Sequence, residues 1–317
     1  MSHLNVTLCS LAFCNRRWVD TMISVLSENC WAIAGGVATT ALAVLVVNRI
    51  LRKPKIVYPR DIVILHLTGR SRFAPSLSPF PLKLETYLRF AKIPYKSVFS
   101  MKMSPKGKTP WIEYNGEILS DSSFIIEFLN KEFKVDLNTH LSPSDRAVAR
   151  AFQKMTEENL YWTLVYSRWV ADNQQRLKPF LKNSFVISIL MKMIRRSVKK
   201  SLYAQGIGRH TEDEIYSIAD KDLRALSTFL GDKAFMFGDQ PCEEDCAIFG
   251  MLAQLVWCLP DSVQEDLSKG DCKNLQEYCY RMKERFWPDW EQCITGEDRG
   301  FCGYPPNDPT LFKRIEK

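Results

Sequence analysis

Three short stretches place hydroxyls, a carboxylate and a proline where anion chemistry could be done. In Ser78-Pro79-Phe80 a serine stands directly before a proline suited to the first turn of a helix. There its hydroxyl either caps the helix or joins the unsatisfied amides in stabilising an anion. Thr109-Pro110 precedes the strand-like run Trp111–Tyr114; taken alone, the proline reads as an ordinary strand start. Asp121-Ser122-Ser123 opens an apolar helical run, so Asp121 and Ser122 read as helix caps, or Ser122 joins the helix amides in holding an anion. Metal chemistry has little material. The ten cysteines form no Cys-x-x-Cys pair and the four histidines, His3, His66, His140 and His210, are scattered, so no metal is expected and the cysteines read as free thiols.

The elements that must position these residues follow from local pattern. Asp61–Leu67 is a short β-rich run, and Leu82, Leu84, Leu88 and Ala91 give Pro79–Ala91 one apolar helical stripe. Ile93-Pro94 ends that helix and feeds a strand over Tyr95–Phe99, so two strands are joined through a helix as in a parallel βαβ unit. Trp111–Tyr114, the Asn115-Gly116 turn and Glu117–Leu119 predict a hairpin, followed by a helix over Ser122–Glu132. Ser142 and Asp145 then cap a run to Ala171 without internal glycine or proline, one long helix or two abutting ones. Its aromatics Phe152, Tyr161, Trp162, Tyr166 and Trp169 read first as core and second as a pocket lining. Thr211 and Glu214 box a helix that ends near Gly231.

The chain's first section differs in composition. Cys30–Val47 is eighteen uncharged, largely apolar residues followed by Arg49, Arg52, Lys53 and Lys55. At ~1.5 Å per residue it reaches ~27 Å against a hydrocarbon core of ~30 Å. A transmembrane helix over 30–48 is therefore expected, with the basic side in the cytosol; a signal peptide and a buried soluble helix are the alternatives. The expected organisation is an N-terminal segment 1–29, the span 30–48, a basic linker 49–60, an α/β domain 61–138, an all-helical domain 139–295 and a tail 296–317.

No acidic residue lies between Asp172 and Glu212, whereas nine basic residues do, more than the net charge of +7. With Phe185, Ile189, Met193 and Ile194, flanked by Leu181 and Val198, the run Phe180–Leu202 predicts a basic amphipathic helix. Lys192, Arg195, Arg196, Lys199 and Lys200 are its candidate membrane contacts; a solvated face packed on its own domain is the plainer alternative. No motif supports nucleic-acid binding.

The βαβ, hairpin and helix order resembles a thioredoxin-like glutathione-binding domain, followed by the all-α domain of glutathione transferases. Ser78-Pro79-Phe80, Lys108–Tyr114, Phe124–Leu129, Tyr161–Leu164 and Phe286-Trp287-Pro288 resemble the failed axon connections family, relatives of metaxins and glutathione transferases, over about residues 61–290. The resemblance implies that Ser78 would face the glutathione thiolate, Thr109 before a cis Pro110 would pair with the cysteinyl backbone, and Asp121 and Ser122 would hold the γ-glutamyl end. It implies a membrane protein linked to axonal development and establishes no reaction. Two departures stand out. Pro81 occupies the place where many relatives carry a cysteine, and Cys242 stands where a serine or threonine would cap the helix opened by Asp245. A non-catalytic scaffold or adaptor ranks first, an active glutathione transferase or thiol reductase second, and a metaxin-like part in organelle import or membrane contact, with the mitochondrial outer membrane as a candidate site, third. No cofactor is required, glutathione is a candidate ligand, protein partners are expected, and homodimerisation is common in the fold.

Overall fold

The computed structural model describes residues 58–171, 185–295 and 303–304; the expected membrane span at 30–48, the segment before it and most of the basic linker lie outside the described residues. The sheet is built around β1 (Val63–Leu67), buried at all five positions as a central strand must be. It pairs in parallel with β2 (Tyr95–Phe99) in the register Val63↔Tyr95, through α1 (Pro79–Phe90), and antiparallel with β3 (Trp111–Tyr114). β3 turns into β4 (Glu117–Ser120) through Asn115 and Gly116, whose φ of 48° and 92° are the left-handed positions a tight hairpin requires. A fifth strand was not expected: Gly303–Tyr304, inside the stretch read as a tail, pairs antiparallel with β2 as β5, giving the order β4-β3-β1-β2-β5. Two residues closing a sheet edge leave no periodicity to read.

α1 lies between the sheet and the helices, and ten of its twelve residues are buried. Leu84, Tyr87 and Leu88 enter the core that the sheet shares with α2 (Ser122–Phe133), while Leu82 enters the helical core. The single stripe expected from the sequence is thus replaced by burial all round, tolerable because the charged residues are paired. Glu85 takes two bonds from Arg70 (2.7 and 2.8 Å), and Arg89 makes two to Asp289 (2.5 and 2.9 Å) while stacking on Trp287. Tyr95 bridges them, accepting from Arg89 and donating to Glu85.

The run from Ser142 is continuous: α3 (Pro143–Lys154), a π-helical turn (Met155–Leu160) and α4 (Tyr161–Trp169), with the expected Ser142–Asp145 capping box. After α5 (Phe185–Gln205), a 3₁₀ turn and α6 (Glu212–Leu230) comes α7 (Glu243–Cys258), the central helix, buried at thirteen of sixteen positions. Its entry tolerates Cys242 because Asp245 takes on the work. Buried completely, Asp245 accepts from the Cys242 and Met236 amides and from the Tyr278 hydroxyl. α8 (Val263–Lys269), α9 (Lys273–Phe286) and α10 (Trp290–Thr295) complete the layer. Among the described residues no single helix is long and apolar enough to cross a membrane.

Candidate functional site

A cavity of about 560 Å³ opens between the loops at one end of the sheet and the helical run α3–α4. Ser78, Thr109, Pro110, Asp121 and Ser122, drawn from three separate loops, all line it.

Ser78 has extended backbone (φ −115°, ψ 135°) and makes no capping hydrogen bond through its side chain. The capping alternative therefore does not describe it, and its hydroxyl stands at the N-terminus of α1 on the cavity wall. Two residues from the helical half set its loop. Gln254 Nε2 donates to the Ser76 carbonyl (3.1 Å), and Arg168 donates to the Leu77 carbonyl and to Gln254 Oε1 (3.1 Å). Arg168 makes no ion pair among the described residues, its Nε has no partner, and burial lowers its pKa. Neither residue stood out in the sequence. The one available signal was a strongly polar residue in each of two otherwise apolar helical faces.

The Thr109–Pro110 bond is cis. The loop before it is held by Trp111, whose indole donates to the Lys102 carbonyl (3.1 Å) while its ring stacks on His66 at 3.6 Å. His66 Nε2 lies 3.1 Å from the Glu113 carboxylate without forming a hydrogen bond, and burial pushes the imidazole down to about 4, so it is neutral at physiological pH. Asp121 caps α2 by accepting from the Ser123 amide (3.1 Å). It does so at φ 81°, ψ 120°, a conformation disfavoured for a residue with a Cβ and concentrated at functional positions. Ser122 beside it is buried.

The opposite wall is charged. The π-turn carries Glu157 and Glu158, and α3 carries Arg150 and Lys154, all at the cavity. Buried Lys83 of α1 donates to Glu157 (2.6 Å) and to the Ser123 hydroxyl (2.9 Å), and Glu157 also accepts from Lys154 (3.3 Å). This ionic chain passes from the α2 N-terminus across α1 to the π-turn, and it too was missed. The aromatic cluster divides. Tyr161 and Trp162 line the cavity, with Phe80 edge-on to Tyr161, whereas Phe152 packs on Phe229, and Tyr166 and Trp169 pack in the small core next to α5. Among the described residues no cysteine lines it: Pro81 is buried in α1, and Cys242, Cys246, Cys258, Cys272, Cys279 and Cys293 are buried free thiols. Lys192, Arg196, Lys199 and Lys200 are exposed on α5, away from this wall; Arg195 turns inward to donate to the Val170 carbonyl (3.0 Å), which removes it from the expected surface set.

Chemically, the cavity offers a carboxylate for an ammonium group, a hydroxyl and helix amides for a carboxylate, backbone at Thr109 for an extended peptide, and a hydroxyl at a positive helix end for a thiol or thiolate.

The glutathione S-transferase N-terminal domain family matches residues 79–175, and the glutathione S-transferase C-terminal domain family matches 219–282. Failed axon connections of Drosophila melanogaster is 34% identical over 260 residues, covering 76% of this chain and 62% of the fly protein, so the chain spans under two thirds of that relative. The isoprene-epoxide–glutathione S-transferase of Rhodococcus sp. strain AD45 is 30% identical over 67% of this chain and 94% of its own length. Mouse metaxin-2 is 24% identical over 66% and 82% of the two chains. Among solved structures, the beta-etherase LigF of Sphingobium sp. strain SYK-6 shares the fold at a TM-score of 0.52 and 16% identity, covering 74% of this chain and 99% of its own. A thioredoxin-type sheet with a transferase-type helical half, matched over two thirds of the chain by a bacterial glutathione transferase and over 76% of it by failed axon connections, assigns this chain to the glutathione-transferase-like, metaxin-related failed axon connections family.

Proposed function

We propose that this chain is a membrane-anchored adaptor that retains the glutathione pocket of its fold as a ligand site without turning over an electrophile. The span at 30–48 would hold it, with the body 61–295 in the cytosol. One observation carries the reading: the five residues suited to glutathione share a cavity whose far wall, where a transferase would seat its second substrate, carries Arg150, Lys154, Glu157 and Glu158. Such a wall suits a polar ligand or peptide better than an apolar electrophile, because an apolar group would take its charges out of water and offer them no hydrogen bonds in exchange. Similarity to failed axon connections supports a part in axonal development, and similarity to metaxins supports contact with an organelle membrane and protein partners.

An active transferase is the second reading. It is favoured by the Ser78 hydroxyl, which no capping bond occupies, and by the identity to a bacterial transferase. Calorimetric titration of the full chain with reduced glutathione, beside a thiol-consumption assay with an epoxide and an aryl halide, separates the two. Saturable binding, weakened roughly tenfold by Ser122→Ala as a charge-assisted hydrogen bond is lost, with no consumption above the uncatalysed rate, is the expected result. Turnover abolished by Ser78→Ala would install the second reading, and absence of binding at millimolar glutathione would remove the ligand from the first.

A further inference from the structure

α5 is attached to the body by one side. Leu202 is buried and Val198 half-buried against Val165, Ile207 and Ile215, and Arg195 reaches the Val170 carbonyl. The side turned away from that core carries Ile189, Met193, Arg196, Lys200 and Tyr203, which follow one another at alternating spacings of four and three residues and so form one stripe along the helix. All five are exposed, Ile189 at 46%, Met193 at 62% and Tyr203 at 61%. Lys192 and Lys199 flank the stripe, both exposed, and Leu190 is 51% exposed beside Ile189. The amphipathic face read from the sequence thus splits: Val198 goes to the core, whereas Ile189 and Met193 are left outside among bases.

Water alone does not favour this arrangement. Large aliphatic side chains on an outward stripe are exposed apolar surface, and the bases crowd together with no acid between Asp172 and Glu212 to balance them. Two of the acids that follow in sequence are engaged: Glu214 closes the Thr211 capping box and Glu212 accepts from Tyr166. A surface that is anionic at its face and apolar just beneath matches both halves of the pattern. Ile189, Leu190 and Met193 would enter the acyl boundary, Lys192, Arg196, Lys199 and Lys200 would extend to the headgroups, and Tyr203 would sit at the level between them. Nucleic acid would use the bases alone and leave the aliphatic residues unexplained.

We propose that the outward stripe of α5, Ile189 to Tyr203 with Lys192 and Lys199, is a docking surface for an anionic lipid bilayer. It depends neither on residues 30–48 spanning a membrane nor on any ligand in the cavity.

The test is hydrogen–deuterium exchange of the full chain with phosphatidylcholine bilayers, with and without about 25 mol % phosphatidylserine, read on peptides covering α5. Exchange over 189–203 should slow at least about tenfold with phosphatidylserine, since each base near the surface contributes to attraction. It should return to the phosphatidylcholine rate in 0.5 M salt, where the screening length falls to about half its physiological value, and in the Lys192→Ser, Arg196→Ser, Lys199→Ser, Lys200→Ser variant. Ile189→Ser with Met193→Ser, which keeps every charge, should lose most of the protection as well. Circular dichroism checks that both variants keep the helix, as expected for exposed positions. Equal exchange in the two lipids overturns the proposal, as does protection insensitive to Ile189 and Met193, or protection by an RNA oligonucleotide where lipid gives none.

Discussion

At the scale of single residues, the informative groups are ionisable side chains buried with partners supplied from far along the chain. Lys83 and Glu157 lie 2.6 Å apart with side chains 3% and 6% exposed. Removing one partner of such a pair strands the other, so Lys83→Met should cost roughly 3 kcal/mol in urea denaturation, and adding Glu157→Leu should recover most of it. If the double variant is no better than the single, the pair's energy is not in its mutual contact. Asp222 is a different case: burial pushes its carboxyl up to about 6, against a hydrogen bond from Asn159 of the π-turn (2.8 Å) that pulls it down. The folded state then holds the proton more tightly than the unfolded chain, so this group's contribution falls as pH rises from its ordinary 3.8 through 6 and is flat above. Asp222→Asn should exceed the native chain by about 2 kcal/mol at neutral pH and lose that margin towards pH 4, measured by denaturation at each pH. The difference between the two chains is the readout, because His66, held down near 4, contributes with the opposite slope over nearly the same window.

Between elements, the decisive contact is that of α1 with α7, which sets where Ser78 stands. At Gly250 an added Cβ would meet the Pro79 carbonyl at 2.7 Å and the Lys83 amide at 3.1 Å. The helices touch through backbone there, and the Pro79 carbonyl cannot yield as a flexible side chain would. Gly250→Ala should therefore destabilise by about 2 kcal/mol through overpacking and weaken the glutathione binding proposed above by moving the α1 N-terminus, two effects read separately by thermal denaturation and calorimetry. The π-turn works in the same way. Its widened winding brings Glu157 and Glu158 to the cavity and Asn159 to Asp222 within six residues, the kind of local departure from α geometry that accompanies function.

Across the whole molecule, the thioredoxin-like and helical halves are joined by charge as well as by apolar packing. The chain Arg70–Glu85–Tyr95–Arg89–Asp289 runs from the β1–α1 loop to the residue before α10, and the Trp287 indole donates to Thr86 (3.0 Å) beside it. The described body should consequently unfold as one unit, with tryptophan fluorescence and circular dichroism giving coincident urea transitions. Arg89→Met, which leaves Asp289 and Glu85 without that cation, should lower stability by roughly 3–5 kcal/mol. Separation of the two transitions in the native chain would show that this network does not couple the halves.

Much of the scaffold is decided within a few residues of each position. Strands β1 to β3, the Asn115-Gly116 turn, α2 after Asp121 and the boxes at Ser142 and Thr211 all rest on backbone sterics, side-chain period and capping, which act over short spans and so stay visible in a linear string. The residues Ser78, Thr109, Pro110, Asp121 and Ser122 were legible for the same reason, since each stands at a local punctuation mark. The rest of the cavity is joined across long separations: Lys83 to Glu157 over 74 residues, Arg168 to Leu77 over 91, Gln254 to Ser76 over 178. Nothing near any of these positions records its partner. Likewise, which side of α5 faces the body, the π-turn and the pairing of Gly303–Tyr304 with β2 depend on what other elements leave uncovered. Local sequence determined the elements and the residues at their ends that line the cavity; only tertiary packing decided which buried charges meet, because that energy arises between surfaces that exist after the chain has folded.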